Sequence, residues 1–213
     1  AGFGFRQAPT VGSTPATGGQ AEYKIKSGLG VGIFKNNPVS PQHTAGDDGY
    51  LQDAAAGTMD DGITGGAGWA TSTSNIQKLL GVFNGAFYID NSTSKPTYAN
   101  SVAASTTFAK DYNTGSNDGI GFVNDNPMQE YTAKCTAAVT QAQLLYTFNP
   151  QDGATAGTSE YGQSTVKLTN TGTATTAMFR IVRVANDPAN NNNSAVDSNV
   201  IVQMSPSACK SNS

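Results

Sequence analysis

Residues 120–135 read IGFVNDNPMQEYTAKC. Before the polar knot, Ile120 and Phe122 fall on one face of a period-two pattern. After it, Tyr131, Ala133 and Cys135 share a face opposite Glu130, Thr132 and Lys134. Between the two runs stand Asn124, Asp125 and Asn126, whose short side chains hydrogen-bond nearby backbone and tolerate left-handed φ. Pro127 has no N–H and cannot sit in a central strand. The stretch therefore reads as strand–turn–strand, a hairpin. One Asp among neutral amides is a poor cation site without ligands from elsewhere, so the knot reads as a turn rather than a metal site.

The same pattern recurs in both directions. EYKIKS puts Tyr23 and Ile25 opposite Lys24 and Lys26, and STVKLTN puts Val166 and Leu168 opposite Lys167 and Thr169. GLGVGIF carries repeated Gly, the mark of a bend or a close backbone approach. NNPVS turns into a short strand, and AMFRIVRVAND and NVIVQMS close the pattern around an Asn-rich loop. NIQKLLGVFNGAFYID reads as an apolar hairpin turning at Asn84-Gly85, with a continuous strand carrying a Gly bulge as the other reading. No long helical period occurs. The fold class is all-β, a single β-barrel or β-sandwich.

Three segments stand apart. Residues 1–20, rich in Gly, Pro and Thr, read as an extended N-terminal arm. A disordered terminus and an arm that orders on a neighbouring surface both fit. Phe3, Phe5 and Arg6 are residue types that dominate interface hot spots, which makes them candidate docking residues. Residues 41–75 form a long polar insertion within a β-domain spanning 21–205. A weak short helix fits its YLQDAAAGTMDD segment, and it holds His43 and Trp69, the latter a candidate surface contact. Residues 206–213 are a polar tail.

Composition narrows the function. The 213 residues are 37% hydrophobic and only 13% charged, about half the usual charged share, with a net charge of −3. The 12 basic residues are scattered, which disfavours nucleic-acid binding. No apolar run reaches the length of a membrane helix. The Ala1-Gly2 start fits either loss of an initiator Met or a mature end left by a signal peptidase. Cys135, in phase with buried positions, reads as a buried free thiol, and a bridge to Cys209 is the minor alternative. A lone His offers no hydrolase triad, no Gly-x-Ser-x-Gly elbow occurs, and Gly28, Gly30 and Gly32 do not open a helix. Asp47-Asp48 and Asp60-Asp61 lack calcium-loop spacing. The expectation is a non-enzyme without metal or cofactor.

The order of motifs resembles a family of structural proteins of roughly this length, encoded in the head-gene regions of tailed phages, many from marine hosts. The residues carrying it are Phe3, Gly4, Phe5 and Arg6; Tyr23, Ile25, Ser27 and Gly28; Ile33, Phe34, Pro38 and Val39; Leu80, Gly81, Val82, Phe83, Gly85 and Tyr88; and Asp125 and Pro127. Gln7-Ala8 before Pro9, and Asn126 between Asp125 and Pro127, depart from the family's pattern. The resemblance implies a β-tulip-like domain and a capsid decoration, or cement, protein on the outer capsid surface of a virion. Its partners would be the major capsid protein and copies of itself, as a trimer. Another virion part binding host glycans (a head fibre or tail protein), and then a pilin-like or surface-layer subunit, are the alternatives. On this reading, deleting residues 1–10 abolishes binding to empty capsids and leaves the β-domain folded; unchanged capsid occupancy would overturn the arm mechanism.

Overall fold

The alternating segments become strands in the structure, a computed structural model. It describes residues 2–12, 19–42, 49–54, 79–111, 115–150, 157–158, 161–170, 177–185 and 197–205. The strands are Arg6–Thr10 (β1), Ala21–Ile25 (β2), Ile33–Phe34 (β3), Pro38–Pro41 (β4), Leu51–Asp53 (β5), Gly81–Ile89 (β6), Pro96–Ala99 (β7), Ser101–Val102 (β8), Gly119–Asn124 (β9), Gln129–Lys134 (β10), Thr147–Phe148 (β11), Gly157–Thr158 (β12), Gln163–Ser164 (β13), Phe179–Val184 (β14) and Asn199–Met204 (β15). One 3₁₀ turn, Gln141–Gln143, interrupts them. The fold is all-β and sandwich-like. One sheet has the order β1-β10-β15-β14-β11, and the second runs β2-β9-β6-β4-β5 with β7 also on β6.

Two cores follow from strand alternation. The inner face of the five-stranded sheet contributes Tyr131, Ala133, Val200, Val202, Phe179 and Ile181 to the first. Ile25, Phe83, Ala86 and Val123 of the six-stranded sheet form the second with Leu29, Ile33, Val102 and Phe108. Neighbouring residues of β6 point to opposite faces, so Val82 enters the first core while Phe83 enters the second. One strand thus joins both.

Residues 120–135 are not a hairpin. β9 pairs with β2 and β6, whereas β10 pairs with β1 and β15, so the knot carries the chain from one sheet to the other. Both edges of each strand are already filled. Asx bonds shape the corner: the Asn124 Oδ1 accepts from the Asn126 N–H at 3.3 Å and the Asn126 Oδ1 from the Met128 N–H at 2.9 Å. Fully buried Gln129 fixes it. Its Nε2 donates to the carbonyls of Ala8 and, at 2.7 Å, Glu130. Its Oε1 accepts from Gln7 Nε2 at 3.2 Å and Asn124 Nδ2 at 3.5 Å.

Asn84-Gly85 is not a turn either. β6 runs straight through it, and the register against β9 slips between Phe83 and Gly85, which is the bulge reading. The hairpin closes later, at Asp90, between β6 and β7. Within the 41–75 insertion, Leu51–Asp53 pair with β4 as a strand rather than starting the short helix, and the part of YLQDAAAGTMDD after Ala54 lies outside the described residues.

The free-arm expectation is corrected as well. Residues 6–10 form an edge strand of the five-stranded sheet, and Phe5 is fully buried, stacked on Phe179 at 4.2 Å between centroids. Removing residues 1–10 opens the first core and strips β10 of a partner, so the β-domain does not survive intact. Phe5→Ala is expected to cost about 3–5 kcal/mol, and Gln129→Leu about 1–3 kcal/mol through orphaned buried carbonyls. Chemical denaturation measures both; midpoints within error of the parent would refute this account of the N-terminal segment and corner.

Candidate functional site

The three N-terminal candidates separate. Gly4 has φ +71°, and a Cβ there would meet the Asn36 carbonyl oxygen and the Ser164 side chain. That close approach lets the Phe5 N–H bond the Asn36 oxygen at 2.9 Å and seats Phe5 in the core. Phe3 stays half-buried at the surface and Arg6 is exposed. The Arg6 guanidinium lies 4.5 Å from the Phe3 ring centroid, and the Lys134 Nζ lies 5.9 Å from it. Two of the three residues therefore remain available for contact.

Strand register extends this pair into a surface. Arg6 aligns with Thr132, Thr132 with Ile201, and Ile201 with Arg183. One step along, Glu130 aligns with Gln203 and Gln203 with Arg180. Lys134 aligns with Asn199. The residues facing the core are Tyr131, Ala133, Val200 and Val202; the alternate positions point outward. The outer face of the five-stranded sheet thus carries Arg6, Lys134, Arg180 and Arg183, with the Glu130 carboxylate among them and Asp197, which pairs with Lys167, within electrostatic reach of Lys134. Arg183 forks onto that carboxylate, with its two terminal nitrogens at 3.1 and 2.6 Å from Glu130 Oε1 and Oε2. Arg180 Nη2 donates to Gln203 Oε1 at 2.9 Å. A chain of net charge −3 concentrates positive charge on this face.

The six-stranded sheet presents a different surface. Its outward row runs Tyr98, Phe87, Ile120 and Lys24 across β7, β6, β9 and β2. Tyr98 is 77% exposed and packs on Phe87 at 4.8 Å. Beside it, the Asn84-Gly85 bulge and Asn100 border a shallow cleft of about 250 Å³ that also meets Tyr98 and Phe122.

Asp90 anchors the hairpin that carries Tyr98. Its Oδ1 accepts from the backbone N–H groups of Ser92 and Thr93 at 2.9 and 2.8 Å and from their hydroxyls at 2.5 and 3.0 Å. The Ser92 hydroxyl leads these bonds in lowering the Asp90 pKa to about 2. Tyr23 donates to Asp125 Oδ2 at 2.8 Å, so the corner carboxylate also has a structural role.

Among the described residues, no group of three or more His, Cys, Asp and Glu is placed to hold a metal ion. No described helix is long and apolar enough to cross a membrane. Cys135 is a buried free thiol whose pKa burial raises to about 12, which favours the protonated thiol at neutral pH. Trp69, His43, Cys209, the paired aspartates at 47–48 and 60–61, the 189–194 loop and the 206–213 tail lie outside the described residues. No family model, curated protein or solved structure matches the chain.

Sequence reasoning saw the basic residues as scattered and missed the basic face. Its members come from strands far apart in the chain, and the outward-facing alternation of each was the available signal. The cleft had a fainter one, the Asn-Gly pair whose bulge forms a wall.

The Asp90 bonds favour the carboxylate, so their contribution is fully present above the ordinary pKa of 3.8 and is lost as pH falls through about 2. NMR titration should show the Ser92 and Thr93 amides shifting with a midpoint near 2. A midpoint near 3.8 would contradict the Asp90 anchor.

Proposed function

We propose that the chain is a virion structural protein that decorates a phage head, with the basic outer face of its five-stranded sheet as the docking surface. The observation that carries this reading is the placement of Arg6, Lys134, Arg180 and Arg183 on one sheet face, with Phe3 packed beside Arg6. Such a face fits an acidic strip on a capsid shell. Charge complementarity of this kind steers association and fixes orientation. The motif order that resembles phage head proteins supports the same role.

In this reading the partner is the major capsid protein on the outer capsid surface. Neighbouring copies of the chain meet around a local three-fold axis as a trimer. Each contact is modest, and repetition over the lattice supplies the stabilisation. Phe5 is withdrawn from the docking set because it holds the core, whereas Phe3 and Arg6 remain in it.

The test uses empty heads that lack the chain. Binding of the intact protein should weaken steeply as salt rises, since the surface charges are screened beyond about 10 Å at 0.1 M ionic strength. Arg6→Glu with Lys134→Glu should cost about tenfold or more in apparent affinity while the melting temperature stays near that of the parent. Full occupancy by the folded double variant, or purified particles without the chain by mass spectrometry, would overturn the proposal.

A further inference from the structure

The cleft on the six-stranded sheet has a chemistry that the basic face lacks. Its walls are Asn84 and Gly85 from the β6 bulge, Tyr98 and Asn100 from the β7 end, and Phe122 from β9. The bulge forms it. One extra residue in β6 breaks the register against β9 and turns Asn84 out of the regular ladder. Gly85, at φ +146°, keeps the opening clear: a Cβ there would stand 3.2 Å from the Ala99 carbonyl oxygen.

Among the described residues, none that lines the cleft is charged. An ionic ligand would find no counter-charge there, so the ligand is neutral. Two aromatic rings offer apolar area, and Phe87 props the Tyr98 ring. Among the described residues, the carboxamides of Asn84 and Asn100 form no hydrogen bond with the protein. Each carries both donors and an acceptor. The Asn100 backbone oxygen accepts from the Lys35 N–H at 2.8 Å, and its exposed side chain keeps its own donors and acceptor.

We infer that this cleft binds one ring of a neutral saccharide. A sugar presents apolar C–H groups on its ring faces and hydroxyls around its rim. The hydroxyls both donate and accept, as a carboxamide does, and the ring faces suit Tyr98 and Phe122. A proline-rich peptide would also use aromatic rings, but it docks along an extended groove, whereas this cleft of about 250 Å³ accommodates a single ring. The site is open and shallow, so a single cleft binds weakly. The inference rests on the cleft alone and not on head docking.

Saturation-transfer NMR on the intact chain tests it, with glucose, galactose, mannose and N-acetylglucosamine as probes and a polyproline peptide in a parallel sample. Transfer to the ring protons of at least one sugar is expected. Tyr98→Ala and Asn100→Ala should each reduce that sugar's affinity about tenfold. Both side chains are exposed, so unchanged melting of either variant keeps the comparison valid. No transfer to any sugar, transfer that persists undiminished in both variants, or a Tyr98-dependent signal from the polyproline peptide alone would overturn the inference.

Discussion

The carboxamide of Gln129 satisfies all four of its hydrogen-bonding positions in a site closed to solvent. Through them it holds β1, the end of β9 and the start of β10 at one point. That point is where the chain leaves one sheet and enters the other. A buried amide is costly unless every position is met, so the bond set tolerates little displacement. The relative placement of the two sheets depends on it. Neighbouring bonds brace the corner from both sides: the Tyr131 hydroxyl donates to the Asn124 carbonyl at 3.2 Å from the core, and Gln203 Nε2 donates to the Pro127 carbonyl at 3.2 Å from the surface.

From that corner the two surfaces acquire separate roles. The inner face of the five-stranded sheet is filled by Tyr131, Phe179 and their neighbours, so its cations are displayed on the other side. The buried Glu130 carboxylate cancels part of that charge and orients Arg183 through a forked pair. The six-stranded sheet keeps its apolar packing on the face of Phe83 and Val123 and leaves Tyr98, Phe87 and Phe122 outward. The basic face and the neutral aromatic cleft share no residues. The N-terminal segment, with Phe5 against Phe179, makes the β1 edge part of the scaffold.

Much of the β character was legible along the chain. Alternation in EYKIKS and STVKLTN separated the faces, and Ile25, Val166 and Leu168 are indeed core. Cys135 was read correctly from its phase with Tyr131 and Ala133. Pairing was less legible. Asn124–Pro127 and Asn84-Gly85 have turn chemistry, yet neither closes a hairpin, because residue preference sets local φ and ψ but not which strand lies alongside. The same limit hid the role of Phe5, whose Gly-rich setting looks like a loose arm until Asn36 and Ser164 come within reach.

The sequence by itself determined the all-β class, the faces of a few segments such as residues 131–135, the buried thiol and a lean use of charge, because these depend on period and composition over a few residues. Only the tertiary structure decided that residues 120–135 bridge two sheets, that Phe5 belongs to the core and that four cations from β1, β10 and β14 share one face. It also decided that a bulge in β6 shapes a cleft with Asn100 and Phe122. Each of these needs the register between strands distant in sequence, which is fixed by hydrogen-bond pairing and core packing and has no local signature.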